Sequence, residues 1–182
     1  MKNIENKVNQ IIYVKGTKLS LYNKINNKWT KDIETRCIYG KNGFSYNKYE
    51  GDLTTPIGIY PLLFAFGTED IIKTNLEYKK ITPNSYYSND ISKPNEYNKW
   101  IESKQKVIGE HLIEFPKEYH YAISIGYNIN PTILENGSAI FLHCRGKKDY
   151  TAGCIAVDES VMLYLLKKLN LDTYIIIKPN NS

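Results

Sequence analysis

His143 and Cys154 bracket the stretch HCRGKKDYTAGC, and these two residue types can together carry out nucleophilic acyl transfer. A thiol is mostly protonated at neutral pH, so a nucleophilic cysteine needs a base or a cation beside it. His143 closes an apolar run, AIFLH, and a flexible Arg-Gly-Lys-Lys loop can bring Cys154 back to it. Gly153 places no side chain in the path of a carbonyl approaching the sulfur. The backbone N–H groups of Gly153 and Cys154 are candidates for an oxyanion hole. On residue types alone a second reading stands beside this one, with His143 a structural imidazole and Cys154 a packing thiol.

The other reactive side chains are less suggestive. Three cysteines, Cys37, Cys144 and Cys154, are an odd set and argue against a disulfide framework. Cys37, in TRCIYG, reads as a small buried hydrophobe, while Cys144 and Cys154 flank one short loop, so mild oxidation either bridges them or is defeated by diverging Cβ vectors. A zinc site built from His143, Cys144 and Cys154 lacks a fourth ligand and the usual Cys-x-x-Cys spacing, so no metal is expected. His120 opens a strand and reads as structural.

The elements that must position the pair are mainly strands. Short β-segments with polar turns fill the N-terminal part, and EGDLTTPIGIYPLLFAFG follows as a strand punctuated by Pro and Gly. The stretch 68–106 is polar and reads as an insertion of loop with a short helix. HYAISIGYN and GSAIFLHC read as strands, the second buried. Beyond Cys154, Asp158 can cap a helix with Val161, Met162, Leu165, Leu166 and Leu169 on one face and Lys167 and Lys168 in its last turn. TYIIIKP closes the chain as a strand. With 182 residues, 42% of them hydrophobic, residues 1–182 are expected to form a single mainly β domain.

A net charge of +5 is a weak attraction to anions on a chain of this size, and scattered basic residues argue against nucleic acid. Arg145, Lys147 and Lys148 form the one dense basic cluster. No apolar run is long enough to cross a bilayer, so no stable membrane insertion is expected. The polar start, MKNIENKVNQ, does not read as an export leader.

Two segments together resemble the L,D-transpeptidase (YkuD-like) catalytic domain of bacterial cell-wall enzymes. His143, Cys144, Thr151, Ala152, Gly153 and Cys154 match its signature of a histidine and small residue, a loop, and Ser/Thr-His-Gly-Cys. Gly51, Asp52, Thr55, Pro56 and Gly58 match its Gly-Asp-x-x-Thr-Pro-x-Gly element. The SAIFLH segment and the Tyr-Asn-Trp-type insertion are similar to a branch common in clostridia. Ala152 stands where the family usually has a histidine, and Ala156 where many members have an arginine. The loop from His143 to Cys154 is also shorter than usual.

The resemblance implies a β-sandwich-like fold with a short packed helix and a polar insertion. It implies Cys154 as nucleophile, His143 as base, a Cys144 backbone carbonyl orienting the imidazole, and no cofactor. Arg145 is the substitute candidate for carboxylate binding, and Thr151 belongs to the signature. His111 lies in a Glu-His-Leu segment like that of the branch, beside its reading as a surface histidine, and Tyr87 and Trp100, with Tyr86 and Tyr97, either line a wall for a sugar-peptide substrate or pack the insertion. The expected partners are peptidoglycan stem peptides at an extracellular, cell-wall location, with carbapenems as acylating inhibitors. The expected reaction is D-alanine release from tetrapeptide stems with 3-3 cross-linking. L,D-carboxypeptidase action, an unrelated cysteine peptidase and a non-catalytic wall-binding module remain as alternatives.

Overall fold

The computed structural model describes residues 8–70 and 72–180. The N-terminal third forms a meander of β1 (Gln10–Lys15), with its unbroken apolar run IIYV, β2 (Lys18–Ile25) and the largely polar β3 (Lys28–Arg36). Two short strands, β4 (Phe44–Ser45) and β5 (Thr55–Pro56), pair in parallel. The long strand β6 (Gly58–Gly67) follows, then β7 (Tyr78–Lys80), β8 (Ser85–Ser88), β9 (Lys99–Glu102) and β10 (Gly109–His111). The C-terminal third holds β11 (Tyr121–Ile125), β12 (Phe141–Cys144), β13 (Ile155–Val157), α1 (Glu159–Lys168) and β14 (Tyr174–Lys178).

The main sheet runs β13-β12-β11-β6-β14-β1-β2-β3, with β7 beside β6, and it curls. Strand β6 joins its halves, pairing with β14 through residues 58–61 and with β11 through residues 62–67. The fold is mainly β with one short α-helix, as expected. The insertion differs from the expected loop and short helix. Its described residues carry β7, β8 and β9, and β10-β8-β9 form a separate three-stranded sheet. Tyr86 and Tyr87 read as an aromatic cluster in a polar segment, yet aromatic residues suit a pleated, half-buried strand.

The period of β12 separates its two faces. Leu142 and Cys144 enter the main core with Met162, Leu165 and Leu166 of α1. Phe141 points the other way, into an aromatic cluster with Phe66, Tyr87 and Tyr119. Each fully buried leucine of the helix contributes about 2 kcal/mol of apolar burial, so α1 holds β12 in place from behind. Asp158 is the N-cap residue by position, but its side chain makes no capping hydrogen bond.

Candidate active site

Strands β12 and β13 are parallel, with Leu142 level with Ile155. This register puts Cys154 beside Phe141, one interstrand step away and two residues back along the strand from His143. The chain must therefore retrace β12 between Arg145 and Cys154, which brings Cys154 to the face opposite the main core. His143 and Cys154 both line a cavity of about 770 Å³.

His143 is buried, and its Nδ1 lies 2.7 Å from the backbone oxygen of Cys144. A carbonyl only accepts, so Nδ1 carries the proton and Nε2 is the nitrogen free to take one. The Tyr119 ring meets the imidazole edge-on, with centroids 5.5 Å apart. Burial lowers the His143 pKa, opposed by its bond to the Cys144 carbonyl and by the charge of Glu118. The ring is therefore neutral at rest.

The Cys154 sulfur accepts the Phe141 N–H at 3.3 Å and donates its own proton to the Ala139 oxygen at 3.3 Å. Burial, joined by the charge of Glu110, pushes the thiol up to about 12, against the Phe141 bond and Lys48. The resting pair is thus a neutral thiol and a neutral imidazole. Transfer to Nε2 requires the S–H to turn away from Ala139 as a substrate enters.

The turn before Cys154 is clamped from both sides. Thr151 Oγ1 donates to the Cys154 carbonyl at 2.6 Å and accepts the Gly153 N–H at 3.1 Å. The Gly153 N–H is therefore occupied, and the oxyanion hole expected from Gly153 and Cys154 is short of one donor. Thr55 Oγ1 donates to the Gly153 carbonyl at 2.8 Å and accepts the Gly40 N–H at 2.8 Å. Gly153 has φ +145°, and a Cβ there would lie 2.8 Å from the Thr54 oxygen, so only glycine fits.

Behind Thr55, Asp52 accepts from Lys48 Nζ at 2.6 Å, the Tyr49 N–H at 3.0 Å, the Thr54 N–H at 2.9 Å and the Thr54 hydroxyl at 2.6 Å. Burial opposes the ionised form, but the Lys48 and Thr54 bonds outweigh it and hold the carboxyl below its usual value.

The structure brings some sequence-predicted residues together and separates others. His143, Gly153, Cys154, Thr151 and Tyr87 line the cavity. Cys144 contributes its carbonyl, while its side chain lies in the main core and donates to the Tyr121 oxygen at 3.5 Å. It cannot share a metal with Cys154 on the other face. Arg145 turns toward Asp158, 3.7 Å away. His111 stacks on Tyr86 with centroids 4.3 Å apart and contacts the Pro83 oxygen at 2.9 Å, outside the cavity lining. Trp100 packs edge-on against Phe66 at 5.5 Å and donates to Glu102 at 2.7 Å, also outside that lining.

Sequence reasoning missed Lys48, Glu110, Tyr119 and Asn98. Glu110 pairs with Tyr87 and His111 with Tyr86 across β8 and β10, so strand alternation turns the glutamate, not the histidine, to the cavity. Tyr119 donates its hydroxyl to Glu110. Asn98 accepts the Ala139 N–H at 3.0 Å and donates to the Tyr127 and Asn128 carbonyls. It thereby fixes the segment whose carbonyl receives the Cys154 proton.

The L,D-transpeptidase catalytic domain (YkuD) family matches over residues 9–177. This chain belongs to that family. Similar solved structures include Campylobacter jejuni Pgp2, a helical cell shape determining protein, at TM-score 0.55 and 17% identity, over 95% of this chain and 48% of that one. Bdellovibrio bacteriovorus Bd1075 follows at TM-score 0.54 and 18% identity, over 93% of this chain and 48% of that one. The chain spans about half the length of these proteins, and at such identities the likeness concerns the fold. No curated protein matches. Among the described residues no helix is long and apolar enough to cross a membrane.

Proposed function

We propose that the chain is a peptidoglycan L,D-transpeptidase acting through a Cys154 thioester at the cell wall, in a branch of the clostridial type. The observation that carries this reading is the convergence of Cys154 and a carbonyl-oriented His143 on one cavity, in a chain of this catalytic-domain family.

His143 Nε2 takes the Cys154 proton as the sulfur attacks the carbonyl between the diaminoacyl residue and terminal D-alanine of a tetrapeptide stem. The amide C–N bond breaks, and D-alanine leaves with the proton returned from His143. The side-chain amine of a neighbouring stem then attacks the thioester, giving a 3-3 cross-link and restoring the thiol. Water in place of that amine would make the enzyme an L,D-carboxypeptidase. A carbapenem carbonyl, strained within its lactam, should acylate the same sulfur.

Mass spectrometry of products from disaccharide tetrapeptide, with and without an added D-amino acid, tests the acceptor step. Cross-linked dimers or exchanged termini are expected. Tripeptide alone at every acceptor concentration would make the enzyme a hydrolase.

A further inference from the structure

Lys48 is a lysine in an unusual place. Its side chain is 4% exposed, and its one ion-pair partner among the described residues, Asp52, is equally buried. Lysine is almost never fully buried unless paired. A purely structural pair would explain the burial but not where the ammonium sits. Asp52 already accepts the Tyr49 and Thr54 N–H groups and the Thr54 hydroxyl, so the loop is held without the lysine.

Lys48 lines the cavity that holds Cys154, and Nζ lies 3.3 Å from where a Cβ on Gly153 would stand. Of its three N–H bonds, one goes to Asp52 at 2.6 Å, and the others have no partner among the described residues. Lys117, Lys147 and Lys148 also line the cavity, but Lys48 is the positive group that lies against Gly153. Ala152 and Ala156 offer none, Arg145 faces Asp158, and the Gly153 N–H is taken by Thr151.

We propose that Lys48, aimed by Asp52, stabilises the negative charge that develops on the Cys154 sulfur and on the oxygen of the tetrahedral intermediate. A buried cation acts strongly there because few waters screen it. The direction of the Lys48 effect on the thiol, toward ionisation, agrees. The proposal rests on Cys154 being the nucleophile, and its test needs no peptidoglycan substrate.

The test is the rate of Cys154 alkylation by iodoacetamide at pH 8, followed by peptide mass spectrometry so that Cys37 and Cys144 do not contribute. The variants are Lys48→Arg and the charge-neutral pair Lys48→Met with Asp52→Asn. Alkylation below the thiol pKa scales with the thiolate fraction, so loss of one pKa unit of stabilisation lowers the rate about tenfold. The double variant should lose about that much, while Lys48→Arg stays near wild type. Should the double variant not fold, Lys48→Gln with Asp52→Asn, which also removes both charges but keeps two amides able to hydrogen-bond, supplies the same comparison. Wild-type alkylation rates in the folded charge-removed variant would overturn the proposal and leave the Cys154 assignment untouched.

Discussion

The Thr55 hydroxyl donates to the Gly153 carbonyl at 2.8 Å, joining residues 98 positions apart in the chain. The bond ties the GDLTTPIG element to the Gly-Cys turn, so two motifs that look independent in the sequence form one device. Thr55→Val keeps the shape and deletes the hydroxyl, leaving a buried carbonyl short of a donor. We expect it to cost about 1–3 kcal/mol and to lower turnover more than binding. Thr55→Ser should retain most of both, as chemical denaturation and steady-state kinetics would show.

Glu110 shares the cavity with Cys154, and burial, with the charge of Glu50, pushes its carboxyl up to about 7. Its folded pKa lies above its unfolded one, so between about 4.5 and 7 the folded protein binds the extra proton. Stability therefore falls as pH rises through that window. Glu110→Gln should flatten this part of the stability profile. It should also speed Cys154 alkylation at pH 8, because the ionised Glu110 opposes thiolate formation. An unchanged stability profile would contradict the first expectation and an unchanged alkylation rate the second.

Cys144 and Cys154 occupy opposite faces of the sheet, one in the main core and the other in the aromatic cluster. Of the two outcomes their closeness in sequence allows, a disulfide is thus the one disfavoured by geometry. Mild oxidant should leave both thiols titratable, and Cys144→Ala should keep most activity, since the imidazole uses only the Cys144 carbonyl. A disulfide-linked peptide containing both cysteines after oxidation would show that the strand face can invert.

Asn98 holds the Ala139 N–H while bonding two carbonyls of the preceding segment. Asn98→Ala should raise the mobility of residues 137–140 in hydrogen exchange and reduce turnover by at least tenfold, with Asn98→Asp intermediate. Unaltered exchange there would remove Asn98 from the supporting shell.

The legible parts of the sequence were those with a short period or a local motif. The buried run ending at His143, the helix after Asp158 and the closing strand follow from apolar spacing alone. The cavity wall was less legible because it depends on pairings distant in sequence. The β8 and β10 register turns Glu110 inward and His111 outward, and Trp100 is drawn into packing by Phe64 and Phe66. Lys48 reads as one lysine among many until the Asp52 loop folds it under Gly153.

The most direct measurement of the central claim is intact-protein and peptide mass spectrometry after brief incubation with a disaccharide tetrapeptide, in wild type and Cys154→Ala. The expected result is D-alanine release with a tripeptidyl thioester mapped to Cys154, and loss of turnover in Cys154→Ala by a factor on the order of a thousand or more. An adduct on Cys144 or Cys37, or turnover surviving in Cys154→Ala, would contradict it.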